Sequence, residues 1–402
     1  DFLDMLKLRA SYGVLGNQEV GDYLFSSDVT SNINYLIDGT TMWNGSFPKT
    51  FASPAIKWEN TEMTNIGLDV VLFNSKLKFT AEYYIKNTTD ILLNVPIPVS
   101  TGASNDPLKN AGHIRNKGFE FMIGWDKIAS KDLSYSLNLV GSTVKNEVIE
   151  MGTGDQVIWS GKPNQSGANT TKSLQGYPIG GFWLIPTDGL FQSEQEVQAH
   201  SKDGKLIQPN AKPGDVRFKD TNNDGIINDE DRVYKGSPFP DLTLGLNASV
   251  RWKAFDLSLG LQSSLGAKIY SSMRSDMEDV SKGQNYSAKS LGYWRPDHTN
   301  TTFPRVVWGD PNQNARTDSD RFLENGNYLR ITNLQFGYSI PKKLVPFLSS
   351  ARVYLNVDNL YTFTKYSGYS PDVNRGDVLS RGVDYYTYPL PRTCVLGLNV
   401  SF

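Results

Sequence analysis

The 402 residues carry 40 Lys plus Arg against 42 Asp plus Glu, a formal net charge of -2 that offers no basic face for phosphates and argues against nucleic-acid binding. Hydrophobic residues at 39%, 35 glycines and an aromatic fraction of 12% exclude a disordered chain and point to β structure. Cys394 is the single cysteine, so neither an internal disulfide nor a cysteine zinc site can form. No apolar run approaches the ~18 residues of a membrane helix, a test that leaves β-barrels untouched because their signal is spread over short alternating segments.

Period-2 alternation predicts strands, in chain order, near Leu6 to Val14, Ile66 to Leu72, Leu77 to Ile85, Phe119 to Trp125, Leu133 to Leu139, Asp241 to Trp252, Phe255 to Leu265, Leu334 to Ile340, Val353 to Val357 and Cys394 to Phe402. Most approach the ~9–11 residues with which a tilted strand crosses a bilayer. The pattern is plain at the C-terminus, where Cys394, Leu396, Leu398, Val400 and Phe402 alternate with Thr393, Val395, Gly397, Asn399 and Ser401. Cys394 on the apolar side reads as a small filler facing lipid. Asp241 to Trp252 and Phe255 to Leu265, joined at Lys253 to Ala254, read as a hairpin.

Short links at Asn74 to Lys76, Ile128 to Asp132, Lys253 to Ala254 and Pro341 to Ser350 alternate with long ones at Gly16 to Lys57, Asn94 to Gly112, Met151 to Pro240, Tyr270 to Asn325 and Ser367 to Pro389. Short turns at one end and long loops at the other are the asymmetry of an outer-membrane barrel. A soluble β-sandwich or β-helix shares the alternation. Against it stand the aromatic strand ends Trp125, Trp252, Phe255 and Phe402, which fit interfacial girdles.

In that frame LKLRASYGVLGN (Leu6 to Asn17), IKWENTEMTNIGLD (Ile56 to Asp69), NAGHIRNKGFEF (Asn110 to Phe121), FPDLTLGLNASVRWKAFDLSL (Phe239 to Leu259), NYLRITNLQFGYSIP (Asn327 to Pro341) and YPLPRTCVLGLNVSF (Tyr388 to Phe402) resemble, in order, the C-terminal part of a SusC/RagA-type TonB-dependent outer-membrane transporter. The resemblance implies an all-β fold: an antiparallel transmembrane β-barrel, with residues 1–402 supplying about ten C-terminal strands of a barrel of 22. It also implies a bacterial outer-membrane location, a SusD-like surface lipoprotein, and a TonB complex acting through a plug and N-terminal strands that this sequence lacks. Ten strands cannot close such a barrel, so the remainder of the barrel is expected as a separate chain, as a further part of the same protein outside these residues, or as a part lost by cleavage. The cargo it implies is a glycan or oligopeptide. The competing reading is a secreted β-rich carbohydrate-binding protein without transport activity.

Within residues 214–233, Asp220 to Asp231 reads DTNNDGIINDED and sets Asp220, Asn222, Asp224, the Ile226 carbonyl, Asn228 and Asp231 at calcium-loop positions 1, 3, 5, 7, 9 and 12, with Gly225 at 6. Asp231 stands where Glu is commoner, and a polar turn capped by its own Asp and Asn side chains is the alternative. The expected role for a bound calcium is structural, stiffening a long outer loop.

Catalytic signatures are thin: carboxylates such as Glu62, Asp69, Glu82, Glu120 and Asp256 could pair as in a glycosidase, but on polar strand faces they read as solvated wall. His113, His200 and His298 are far apart, and no P-loop, GxSxG or HExxH pattern occurs, so an enzyme is not expected. Trp43, Trp159, Trp183, Trp294, Trp308, Tyr366 and Tyr369 lie in or beside predicted outer loops and are candidate substrate contacts, with loop packing or contact with a lid protein as the alternative. Inward Arg9, Lys78, Lys86, Arg251 and Arg352 are offset by Asp69, Glu82, Glu120, Asp126 and Asp358, so no charge preference is expected of the wall.

Overall fold

The computed structural model describes residues 2–402 apart from 20, 22–23, 28, 38, 49–50, 96, 98–99, 101–106, 153–156, 166 and 374–376. Ten strands form one antiparallel meander: β1 (Leu3–Asn17), β2 (Glu59–Leu72), β3 (Leu77–Asn94), β4 (Leu108–Ile128), β5 (Leu133–Thr143), β6 (Leu242–Trp252), β7 (Phe255–Leu265), β8 (Tyr328–Ser339), β9 (Ser350–Thr364) and β10 (Thr393–Ser401). Each pairs with its sequence neighbours, and Lys145–Met151 adds an eleventh strand beside the outer half of β4. All ten predicted strands are present, and the predicted alternation of short and long links holds throughout.

Register fixes which side chains share a face. Leu246 opposes Leu139 and Leu261, while Asn247 opposes Asn138 and Gly260. Leu396 opposes Leu355, and Asn399 opposes Arg352. Because the side-chain period is two, this pairing carries an aliphatic face and a polar face across the whole sheet. On the aliphatic face Leu8 is 78% exposed and Leu396 77% exposed, so no second layer among the described residues covers them. Cys394 lies on that same face and is exposed, as expected.

At the short-turn end, aromatic rings run together along the aliphatic side. Phe73 stands 6.2 Å from Phe2 and 6.5 Å from Trp125, and Phe255 stands 6.5 Å from Trp252 and 5.0 Å from Tyr338. Such a row is the girdle that an interface demands, since an amphipathic ring sits best between hydrocarbon and water. The turns are tight: Phe73, Asn74 and Ser75 all take positive φ, as does Lys253. Buried apolar clusters lie elsewhere, among the long loops and the outer strand ends. Among the described residues β1 and β10 pair with one strand each and do not pair with each other, so the sheet has two open edges.

A charge placed on one face should therefore cost far more than the same charge one residue along. If a bilayer covers the aliphatic face, Leu246→Arg should lower stability in lipid by about 2–4 kcal/mol, with little change for Asn247→Arg. Denaturant unfolding in lipid vesicles measures both, and equal costs would contradict the assignment of faces.

Candidate functional site

The polar face is a hydrogen-bonded wall. Arg9 of β1 donates to Asp69 of β2 at 2.8 and 3.1 Å and lies 3.7 Å from Glu82 of β3. Lys78 lies 3.5 Å from Asp126, which accepts from Ser136 Oγ at 2.6 Å. Arg352 of β9 donates two bonds to Asp256 of β7 across β8, at 2.9 and 2.5 Å. A Cβ at the intervening Gly337 would fall 2.5 Å from both groups, and one at Gly397 would fall 2.1 Å from the Tyr354 ring. Glycines on this face are thus where long side chains lie flat across the next strand. Glu82 and Glu120 stand opposite each other and border a 530 Å³ recess floored by Met122 and Val140. Of the five wall cations, Arg9, Lys78 and Arg352 stand in specific ion pairs; Asp256, outside the charge balance set out above, partners Arg352.

The outer ends of the strands carry folded loops with their own secondary structure. In the β5–β6 loop, Ile158–Ser160, Thr171–Ser173, Gly181–Leu184 and Val233–Gly236 form a small antiparallel sheet. Phe182 and Leu184 from this loop, Tyr270 and Phe322 from the β7–β8 loop, and Val383 from the β9–β10 loop share one buried core. Polar staples join the same three loops. Asp276 accepts from Asn164 at 2.7 Å and from the Tyr386 hydroxyl, and Arg305 donates twice to Asp215 at 2.7 and 2.9 Å. Arg321 is buried, donates to Glu278 at 3.2 Å and stacks on Phe322. Burial pulls the Arg321 guanidinium down to about 10 against the opposing pull of Glu278. These loops make a single cap, because removing any one would leave apolar surface and paired charges of the others in water.

The seven aromatic candidates separate by environment. Trp159 and Trp183 come together on the small sheet, on either side of the Lys172 ammonium at 5.2 and 4.6 Å from their ring centres. Trp43 is exposed opposite Tyr35 in the hairpin of Val29–Ile37 and Thr41–Pro48, and Trp308 and Tyr369 are exposed singly. Trp294 and Tyr366 are buried: the Trp294 indole donates to Gln192 at 3.0 Å and the Tyr366 hydroxyl donates to Asp384. These two build the cap and present no free ring face. Residue type alone could not have separated the groups. Lys172, Tyr177 and Tyr234, which complete the cluster around Trp183, carry no sequence signal.

The calcium-type loop folds around its own backbone. Asp220 accepts from the amides of Asp224 at 3.1 Å and Gly225 at 2.7 Å, and Asp224 accepts from the Ile226 amide at 2.8 Å. Asp231 accepts from Thr221 and Asn228, while Asn228 caps the single 3-10 turn Asp229–Asp231. The Ile226 amide and the Asn222 side chain hold the Asp224 carboxyl below its usual range. Gly225 takes φ +91, the turn that position 6 requires. Among the described residues no three His, Cys, Asp or Glu side chains gather as a metal-ligand group.

An open antiparallel sheet with a lipid face, an aromatic girdle, a polar wall and long outer loops defines a piece of an outer-membrane β-barrel. Residues 1–360 match the family described as TonB dependent receptor-like, beta-barrel, and the chain belongs to that family, whose members are receptors and transporters of the bacterial outer membrane and not enzymes. The chain is similar to TonB-dependent receptor P3 of Formosa agariphila, with 33% identity over 405 residues that cover 98% of this chain and 39% of the relative. It is also similar to TonB-dependent receptor SusC of Bacteroides thetaiotaomicron, with 29% identity covering 100% of this chain and 38% of the relative. Among solved structures the RagAB peptide transporter matches with TM-score 0.78 and 25% identity over 100% of this chain and 41% of that chain. The chain thus spans about two fifths of the length of these relatives.

The cap also holds a histidine whose surroundings favour its neutral form. His200 ends the helix Glu194–Ala199 with its ring edge-on to Phe191 at 5.5 Å and its Nε2 buried without a partner. Burial and the Arg217 charge lower its pKa, against Asp220. A lowered pKa favours the folded cap only while the ring is neutral, so that stability is complete above the unfolded value of about 6.5 and is lost as pH falls toward the folded one. Hydrogen exchange across residues 190–231 should accelerate between about pH 7 and pH 5 beyond the intrinsic chemical change, and His200→Gln should remove the effect. Equal protection in the two proteins at every pH would contradict it.

Proposed function

We propose that the protein imports a glycan or oligopeptide across the outer membrane in a TonB-dependent cycle, together with a SusD-like surface lipoprotein. The observation that carries the reading is the pairing of a lipid face with a polar wall on which charges of both signs are interspersed and Arg9, Lys78 and Arg352 are held by neighbouring carboxylates. Such a wall offers a solute hydrogen bonds without a strong field to hold it. The cap built on the outer strand ends would then form the external mouth, where a lipoprotein lid would seat. The relatives named as a receptor and as a peptide transporter support the class of activity. The secreted carbohydrate-binding alternative is disfavoured by leucines that no layer among the described residues covers. The open edges of β1 and β10 call for further strands, since unpaired backbone in hydrocarbon costs several kcal/mol per group. We also propose calcium as a structural ligand of Asp220 to Asp231, supported by the position-by-position fit of the loop.

Deleting the gene should abolish TonB-dependent uptake of the cargo, and affinity purification from outer membrane in detergent should recover a lipoprotein. Uptake that persists, or a monodisperse protein without detergent, would overturn the import reading. For the loop, calcium should slow proteolysis within residues 214–233 of the native protein, and Asp220→Ala with Asp224→Ala should abolish that protection. A digestion pattern indifferent to calcium would dismiss the metal alone.

A further inference from the structure

The cation-aromatic cluster on the small sheet of the cap has an uneven charge balance. Lys172 pairs across the sheet with Trp159, and its ammonium lies 4.6 Å from the centre of Trp183. Arg232 shares the Trp159 ring, with its guanidinium 4.8 Å from the centroid. The two cations are not equivalent. Arg232 is buried and neutralised by Asp229 at 2.6 Å and Asp318 at 3.1 Å. Lys172 has no carboxylate partner among the described residues, and its pKa is lowered by burial and by Arg232, with no acidic group opposing. Asp318 is also held by Arg316 at 2.6 and 2.8 Å, so two guanidiniums offset the two carboxylates and the Lys172 charge is left over on the aromatic surface.

The surrounding rings are fixed. Tyr177 packs edge-on to Trp183 at 4.8 Å and lies 5.2 Å from Tyr234, which in turn lies 5.9 Å from Trp183. Tyr177 is 36% exposed, and Trp159, Lys172 and Trp183 are half-buried, so the cluster is open on its outer side. Rigid aromatic faces next to an ammonium without a counter-ion complement a ligand that has a flat apolar face and an acid group one bond-length or two from it. A pyranose ring carrying a carboxylate or sulfate has that shape. An acidic peptide would bring the charge without the ring, and a neutral glycan the ring without the charge.

We propose that Trp159, Lys172, Tyr177 and Trp183 form a binding site for an acidic sugar residue, in which the sugar ring stacks on the aromatic cluster and its acid group pairs with Lys172. The assignment rests on the import reading and narrows its cargo to an acidic glycan captured at the external mouth.

The test uses the outer-membrane protein carrying this sequence, purified in detergent and titrated by tryptophan fluorescence with oligogalacturonate, a sulfated galactan oligosaccharide, maltoheptaose and oligoglutamate. At least one acidic oligosaccharide should bind, at least about tenfold more tightly than maltoheptaose or oligoglutamate. Lys172→Ala should weaken it about tenfold, and Lys172→Arg should restore most of the loss. Unchanged proteolysis of the cap in both variants shows that the fold is kept. Failure of both acidic oligosaccharides to bind, equal binding of maltoheptaose, tighter binding of oligoglutamate, or indifference to Lys172→Ala would each overturn the site. Cellular uptake of the same oligosaccharides tests the import reading separately: binding without uptake would remove import and leave the site standing.

Discussion

Hydrocarbon on one side and a hydrogen-bonded polar surface on the other set the terms for every part of this sheet. A strand in lipid must satisfy its backbone within the ladder, and a side chain on the lipid face has no water to turn to. The aliphatic residues of β1 to β10 therefore need no partner layer inside the chain, and among the described residues they have none. Their exposure, which would be a liability in water, is what a bilayer covers. The same constraint explains the girdle from Phe2 to Trp125 and from Trp252 to Tyr338, since these rings mark where hydrocarbon gives way to interface.

The polar face and the cap solve different problems. On the wall, ion pairs such as Arg352 with Asp256 are partly wet and contribute little stability each, but together they leave a surface of low net charge with its long side chains held flat. In the cap, the carboxylates of pairs such as Arg321 with Glu278 and Arg305 with Asp215 are buried, so losing the arginine would strand the acid. The wall is thus suited to passage and the cap to recognition. A rigid cap holds aromatic and charged groups at fixed spacing, which loose loops could not do.

The ten strands were legible because they are long and alternate over the predicted stretches, several with aromatic ends such as Trp125, Trp252, Phe255 and Phe402. Their outer limits were not. Alternation in β3 and β4 fades beyond Ile85 and before Phe119, where Ile91, Leu93 and Ile114 pack against loop residues such as Ile179, so the inner face turns apolar as well. Register also shifts between Thr88 and Ile91 and again before Leu92, which breaks the period that a sequence reading relies on. The cap was illegible for a related reason: its strands are two to four residues long and pair segments far apart in the chain, too short for a period to register. Trp294 and Trp308 look alike in sequence, yet one is a core residue and the other is bare. Lys172, flanked by Thr171 and Ser173, gains its meaning only when the fold brings Trp159 and Trp183 to either side.

The central claim is that lipid, and not protein, covers the leucine-rich face. Spin labels placed singly at residues 242 to 252 of the outer-membrane protein, with Cys394 replaced by Ala and the protein in bilayers, test it directly. Accessibility to oxygen should peak at Leu242, Leu244, Leu246, Ala248 and Val250, and accessibility to a water-soluble nickel complex should peak at the residues between them. Low oxygen accessibility at the leucines, or a profile without period two, would place protein against that face and contradict the account.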